Sequence, residues 1–524
     1  MAHLWALVRQ WWPLLLGNIL EWYEFGVYGS LTKELSANFF RASTFGTWSG
    51  FAVTFLLRPV GGIVFGLLAD RVGRKRATLW SMRGMLFATV AQGLLPSLRC
   101  CGEASADVGL VLLIILRALQ GVCTGGEIGP LVTYMAESAP PGVLGVGTAL
   151  FLLCVYVAFA ISQGLVALAV LVLGPERMLE WGWRLPFLVA LAPGLLTLWG
   201  RSHLPESAEF VELQSARNLM SSGDAQAAPS STGSVAGGES GVNAPSASCE
   251  SCEDARSRGA ATSEAAGHAG RIFATVRGFF HDYGHALVIG FSASSAGGAA
   301  IYTSMWCGAH LARQGGWDEA SALGLSILMY LMAGAGVYAG AVICDNSFGS
   351  DPFIVQAVGS GLLAVVGVPV FWGLSAYRGS LLAAGMCLSV AFGLAQGASF
   401  AQTYLFCVRL FHTRVRALGF GLTYNLAMAY VGGTAAMVAE ALDSVSPIAP
   451  GAYVSALGLV SLLAVLWGLR LRMAGRLQTY AIGAVASKVK DAQMAAEKAS
   501  AESAARAQEE EKDKEEDAIV VAVV

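Results

Sequence analysis

Long apolar runs separated by short polar turns set the plan of this chain. About twelve runs approach the length needed to cross a bilayer as a helix, roughly 20 mostly apolar residues. Trp12–Leu31, Phe45–Leu68, Ala77–Pro96, Val108–Met135, Val143–Leu173 and Trp183–Trp199 form one group of six. Gly284–Leu311, Leu323–Cys344, Phe353–Leu374, Leu381–Val408, Val415–Leu442 and Val454–Leu471 form the other. All are rich in Gly and Ala, which lets helix backbones approach closely in lipid. Between the groups, Ser221–Ala269 is a Ser/Gly/Ala/Glu tract with almost no large apolar residue and no means of burying a core. The pattern predicts an all-α membrane protein of about twelve transmembrane helices, in two pseudo-symmetric six-helix halves around a central cavity. The halves are expected at residues 1–201 and 284–472, a largely disordered cytoplasmic linker at 202–283, and a charged cytoplasmic tail at 473–524.

Composition narrows the class. With 55% hydrophobic and 13% charged residues, the chain falls well short of the roughly 25% charge of soluble domains and reads as an integral, multi-pass membrane protein. A formal net charge of −3 offers no electrostatic case for nucleic acid or another strongly charged partner. The first residues run straight into an apolar stretch without a small-residue cleavage site, so that stretch is read as a retained helix. The cysteines lie mostly inside apolar runs, where a thiol is a small packing group, and they suggest no disulfide framework. Cys249-Glu-Ser-Cys252 stands alone in a polar tract without nearby histidines, so no metal is expected there, and no cofactor elsewhere. Ser487–Asp517 is polar on all faces, which predicts a frayed helix or disorder. With no nucleophile elbow, His/Glu metal cluster or phosphate loop, an enzyme is not expected.

The turn between the second and third runs, Gly66-Leu-Leu-Ala-Asp70-Arg71-Val-Gly73-Arg74-Lys75-Arg76, holds four cations and one carboxylate. Such a turn marks the cytoplasmic face, and Arg414, Arg416, Arg470, Arg472 and Arg476 fall on the same side if both termini are cytoplasmic. Orientation alone is the plain reading. The glycines allow more: Gly66 admits a neighbouring helix, Gly73 permits a sharp turn, and Asp70 can face another helix's N-terminal dipole, so the turn can latch one half against the other. This arrangement resembles the signature loop between helices 2 and 3 of the major facilitator superfamily, Gly-x-x-x-Asp-Arg-x-Gly-Arg-Arg/Lys, with Gly66, Asp70, Arg71, Gly73, Arg74 and Lys75 in place. The resemblance implies a secondary transporter of the major facilitator fold, whose loop engages the end of helix 11 near Arg414 and Arg416. The matching turn of the second half, Cys344-Asp345-Asn-Ser-Phe-Gly349, lacks the Arg/Lys cluster and is expected to latch weakly.

Charged groups within the apolar runs are costly in lipid and mark function or a structural bridge. On the first run, Asn18, Glu21, Glu24 and Tyr28 share one helical face. Two carboxylates one turn apart at low dielectric cannot both hold their charge cheaply, which is what a proton carrier needs. On the fourth run, Arg117, Gln120 and Thr124 align, with Glu127 adjacent, and Arg117 is the preferred partner of Glu24. Protonation that frees Arg117 would bias a two-state element, the minimum for proton-coupled alternating access. Polar or amphipathic groups near run centres give the cavity candidates Tyr28, Gln120, Gln163, Tyr302, Trp306, Gln396, Gln402, Tyr404 and Asn425, against the plainer reading of helix–helix contacts. Arg58 and Arg83 read as lying near helix ends.

Gly17-Asn18, Glu21-Trp-Tyr-Glu-Phe-Gly-Val-Tyr-Gly29, Leu57-Arg58-Pro59-Val-Gly61-Gly62, Leu119-Gln120-Gly121, Gly125-Gly126-Glu127 and Trp181-Gly-Trp-Arg-Leu-Pro-Phe187 resemble the metabolite:H⁺ symporter branch of that superfamily. Carriers of proline and betaine, 2-oxoglutarate, shikimate and citrate belong to it. The resemblance implies a carrier moving a small organic solute (organic acid, amino acid or betaine-like) with protons, with Glu24 and Arg117 at the coupling positions; a monomer in the plasma membrane is expected, with an organelle membrane as the alternative. An uncoupled facilitator and a non-transporting nutrient sensor are the alternatives.

Overall fold

A computed structural model describes residues 2–203 and 250–482, apart from 73, 141, 315–318, 378, 413–414 and 481. Among the described residues the chain is all helical, with no strand. Nine segments among the described residues are long and apolar enough to cross a membrane: Thr44–Phe65, Glu103–Ser138, Leu144–Leu173, Gly182–Ser202, Arg277–Gly308, Ser321–Phe348, Pro352–Ala376, Leu381–Arg409 and Ala449–Met473. Three further stretches complete the twelve. Ala2–Ser30 and Arg74–Gln92 are helices of 29 and 19 residues whose charged side chains lower their apolarity. The eleventh stretch falls short in length because it is broken: Arg416–Ala427 runs into a wide π turn, Met428–Gly432, and resumes at Ala435–Asp443. The segments that fail a test of length and apolarity thus include those carrying Glu21, Glu24 and the basic turn. Large apolar side chains such as Ile63, Leu171 and Val365 stay exposed on the outer surface, as lipid contact requires.

Two expectations change. The segment expected as a disordered linker is helical from Glu250, where a 65-residue helix begins that continues as the seventh span to Gln314. Ala, Arg and Glu favour helix on propensity alone, with no core required. Residues 204–249 of that linker, the tail beyond 482 and Cys249 lie outside the described residues. Cys100 and Cys101, in the turn before the fourth span, form a disulfide, where no pairing was expected.

Successive spans reverse direction, so the ends of the fourth, eighth and tenth spans and the starts of the fifth, ninth and eleventh share the face of the basic turn. The halves touch there, at mid-depth and at the opposite face. On the basic-turn face Arg416 Nη1 donates to Glu137 Oε1 at 2.6 Å. At mid-depth Asn425 Nδ2 donates to the Gly125 carbonyl at 3.2 Å, and Tyr302 stacks on Trp22 with centroids 6.4 Å apart. On the far face Thr44 donates to Glu440, and Ser49 Oγ lies 3.3 Å from Met437 Sδ. The closed ends enclose the residues described next.

Candidate functional site

The site begins with a helix break. Thr44–Leu56 ends, Leu57 intervenes, and Arg58–Val72 starts anew with Pro59 in its first turn, where a missing N–H costs nothing. The break leaves Arg58 at mid-span and fully buried, which corrects its placement near a helix end. The fourth span lies backbone to backbone against this point: a Cβ at Gly121 would overlap the Thr54 carbonyl, and one at Gly125 the Arg58 carbonyl. Arg58 Nη2 therefore reaches Glu21 Oε1 at 2.5 Å, and its Nε donates to Thr124 Oγ1 at 3.2 Å. Its guanidinium sits 5.0 Å from the Phe55 ring centroid, 5.4 Å from Phe25 and 5.7 Å from Trp22. Desolvation of such a pair is offset only by good geometry and further hydrogen bonds, and aromatic faces add cation–π attraction.

A second pair lies one step toward the basic-turn face. Glu127, at the break between Glu103–Thr124 and Ile128–Ser138, pairs with Arg201 from the end of the sixth span. Gly17 makes this possible, since a Cβ there would overlap the Arg201 guanidinium.

On the other side lie Glu24 and Arg117, both buried. Gln92 Nε2 donates to Glu24 Oε1 at 3.4 Å. Arg117 Nη1 donates to Gln120 Oε1 at 2.9 Å, and its guanidinium lies over the Tyr28 ring, 3.9 Å from the centroid. Tyr28 in turn donates to the Thr47 carbonyl at 2.9 Å. The charges of Glu24 and Arg117 act on each other, yet the ion pairs among the described residues join Glu21 to Arg58 and Glu127 to Arg201 instead. The expected direct bond between Glu24 and Arg117 is therefore not present. Its physical cause is local: Gln120, one turn along the same helix, and the Tyr28 ring hold the guanidinium.

The cavity candidates divide. Tyr302 of the seventh span packs on Trp22, Phe51 and Phe55 of the first half. Tyr404 and Tyr424 hydroxyls meet at 3.1 Å, and Asn425 crosses to Gly125. Gln163 and Gln396 are buried, with amide atoms lacking a hydrogen-bond partner. Gln402 donates to the Ala401 carbonyl at the break in the tenth span. Trp306 is a correction, since it donates to Glu440 at 2.5 Å and stacks on His310 at the far face, away from the centre.

Of the gating residues, Gly73 and Arg414 lie outside the described residues, as do the side chains of Asp70, Arg71 and Arg74, while Gly66 and Lys75 belong to the helices on either side of the turn. Arg416 is described, buried and paired with Glu137 across the halves. The second half's turn holds better than expected. Asp345 accepts the backbone N–H groups of Gly145 at 2.7 Å and Val146 at 2.8 Å, at the N-terminus of the 30-residue fifth span. A carboxylate there meets both unsatisfied donors and the positive end of the helix dipole, so a latch needs no Arg/Lys cluster.

Comparison with known proteins agrees with this architecture. The family described as "Sugar (and other) transporter" matches residues 12–236. The chain is 28% identical to the ectoine/proline transporter of Corynebacterium glutamicum over 82% of its own length and 77% of the relative's. It is 37% identical to the shikimate transporter of Escherichia coli over 38% of the chain and 46% of that relative. A major facilitator superfamily proton:xylose symporter bound to 6-bromo-6-deoxy-D-glucose shares the fold, with a TM-score of 0.63 over 87% of this chain and 94% of that one at 15% identity. The chain shares the fold of that symporter and resembles these carriers in sequence. Within this fold, sequence reasoning missed Arg201, Gln92, Glu137 and the true depth of Arg58. Leu57-Arg58-Pro59 carried a signal for the last, because a proline inside an apolar run breaks the helix beside it.

Proposed function

We propose that this protein is a secondary active transporter that moves a small organic solute together with protons by alternating access. The observation that carries the proposal is the burial of Glu21 and Glu24 on the first span among Arg58, Arg117 and Arg201, within a fold whose halves meet at both faces. Ions in so dry a setting respond strongly to any change in protonation or pairing. Release of one pair then favours one packing of the halves over the other. The names of the relatives point to ectoine, proline and shikimate, each of which carries a carboxylate, and this supports a small organic acid or zwitterion as solute. The protein acts in the plasma membrane with both termini in the cytoplasm, the side of the basic turn, and works as a single copy.

Reconstitution into proteoliposomes tests this directly. With a pH gradient imposed, proline, betaine or shikimate should accumulate, and Glu24→Gln should lose accumulation while retaining solute exchange. Uptake indifferent to both the gradient and the substitution would make the protein an uncoupled facilitator. That second reading draws on one observation, the absence of a direct Glu24–Arg117 bond among the described ion pairs.

A further inference from the structure

Arg58 stands apart from the other buried cations of the first half. It is in the first half, yet its surroundings reach into the second: Phe55, 5.0 Å from its guanidinium, packs at 4.9 Å on Tyr302 of the seventh span, and the charges of Arg58 and Glu21 both act on the Tyr302 hydroxyl. Two of its nitrogens are engaged, Nη2 by Glu21 and Nε by Thr124. The third, Nη1, is buried without a hydrogen-bond partner, and so is the Tyr302 hydroxyl. Unpartnered buried donors are expensive, and one on a guanidinium more so. Here one comes from each half, beside the aromatic walls of Trp22 and Phe55.

We propose that Arg58, with Tyr302 opposite, is the anchor for a carboxylate on the transported solute, and that this carboxylate and Glu21 compete for the same guanidinium. The proposal rests on the carrier reading above and deepens it by naming the solute's recognised group. A carboxylate suits a planar guanidinium better than a hydroxyl or amide does, because charge-assisted bonds are shorter and stronger. The faces of Trp22 and Phe55 suit the weakly hydrated remainder of a small zwitterion. The exchange balances: the solute's carboxylate takes the place of Glu21 on Arg58, and Glu21, left without that cation, binds one proton from water. Apart from Arg58 and its own-helix neighbour Glu24, the groups facing Glu21 are Glu127 of the fourth span, Arg201 of the sixth, and the tyrosines Tyr302, Tyr404 and Tyr424 of the other half. Arg201 is already held by Glu127, whose own negative charge opposes that of Glu21. One proton is bound for each solute carboxylate.

The test uses the purified full-length chain with matched probes, proline against prolinol and glycine betaine against choline. Binding is followed by calorimetry in buffers of different ionisation enthalpy, which counts protons taken up. A carboxylate probe should bind wild type with uptake of one proton, and its carboxylate-free counterpart about 10–100-fold more weakly. Arg58→Gln should weaken only the carboxylate probe, and Glu21→Gln should tighten it while abolishing proton uptake. Should Arg58→Gln fail to fold, Tyr302→Phe carries the test, with an expected loss of about 5-fold confined to carboxylate probes. Equal weakening of both members of a pair, binding without proton uptake, or failure of every carboxylate probe to bind wild type overturns the inference. Those outcomes leave the carrier reading standing if proteoliposomes still accumulate a carboxylate-free solute. Conversely, carboxylate binding at Arg58 with no transport of any solute would sink the carrier reading alone.

Discussion

On the fourth span, Gly121 and Gly125 lie against the carbonyls of Thr54 and Arg58, and on the tenth, Gly393 and Gly397 lie against those of Met329 and Ala333. The same four-residue spacing on both helices of each pair sets one half in register with the other. In that register Arg58 corresponds to Ala333, Arg117 to Ser389, Thr124 to Gln396 and Glu127 to Ser399. Ser389 and Ser399 hydroxyls simply donate to the Leu325 and Gln396 carbonyls, at 2.8 and 2.9 Å. Among the described residues, the second half's only buried charged side chain is Arg416, at the basic-turn face, whereas the first half buries Glu21, Glu24, Glu34, Arg58, Arg117 and Arg201. One backbone plan therefore carries two chemistries: an ionic half that can respond to protonation, and a neutral half that offers tyrosine hydroxyls and amides to whatever sits between. The match of the transporter family to residues 12–236 falls on the ionic half and the segment after it.

The most forceful way to break this comparison is to strip one ion. Glu21→Ala leaves Arg58 buried and uncompensated, and should cost about 3–5 kcal/mol. A large fall in the melting temperature of the purified protein would show it. The double variant Glu21→Gln with Arg58→Met should recover most of that stability and still not transport, because the pair serves function more than folding. At the corresponding position, Ala333→Ser adds a hydroxyl to a neutral helix interface and should cost far less. If Ala333→Ser proved as damaging as Glu21→Ala, the division into ionic and neutral halves would lose its meaning.

A smaller and deliberately symmetric effect comes from the glycines. Gly121→Val and Gly393→Val each drive a branched side chain into a neighbouring carbonyl, so overpacking of about 1–3 kcal/mol is expected in both halves. Similar losses in melting temperature sharpen the register between the halves. A large loss in one and none in the other would refute it.

Much of this was readable from the sequence and some was not, for physical reasons. The twelve runs and the basic turn announce themselves because lipid tolerates so few alternatives to apolar helices. Glu21, Glu24 and Arg117 stand out because charge within such runs is rare. Pairing is a different matter. Helical spacing places Arg117 and Glu24 in the same half, but the choice between Gln120, Tyr28 and Glu24 as its neighbours depends on side-chain reach of a few ångströms that no periodicity encodes. The partner of Arg201 is not legible in its local sequence, because Gly17 on the first span opens its path to Glu127. The strength of the Asp345 turn is hidden for the same reason, since its two backbone donors, Gly145 and Val146, belong to the distant fifth span.

The gentlest test concerns the two latches described on the basic-turn face, and it asks which of them holds more firmly. Asp345 is half-buried and meets two backbone donors of the fifth span, with Ser350 Oγ donating to it at 2.5 Å. Glu137 is 41% exposed where it meets Arg416, so water screens that pair and its worth falls below about 1 kcal/mol. Removing the charge at a helix N-terminus costs about 0.3–1 kcal/mol. Asp345→Asn should then open this face about 2–5-fold more often, while Glu137→Gln should do so less. Cys344, buried beside Asp345, supplies the readout, as its alkylation rate in a variant retaining that single cysteine rises with opening. A faster rate for Glu137→Gln than for Asp345→Asn would mean that the interhelical ion pair, and not the carboxylate on the helix end, holds the two halves together at this face.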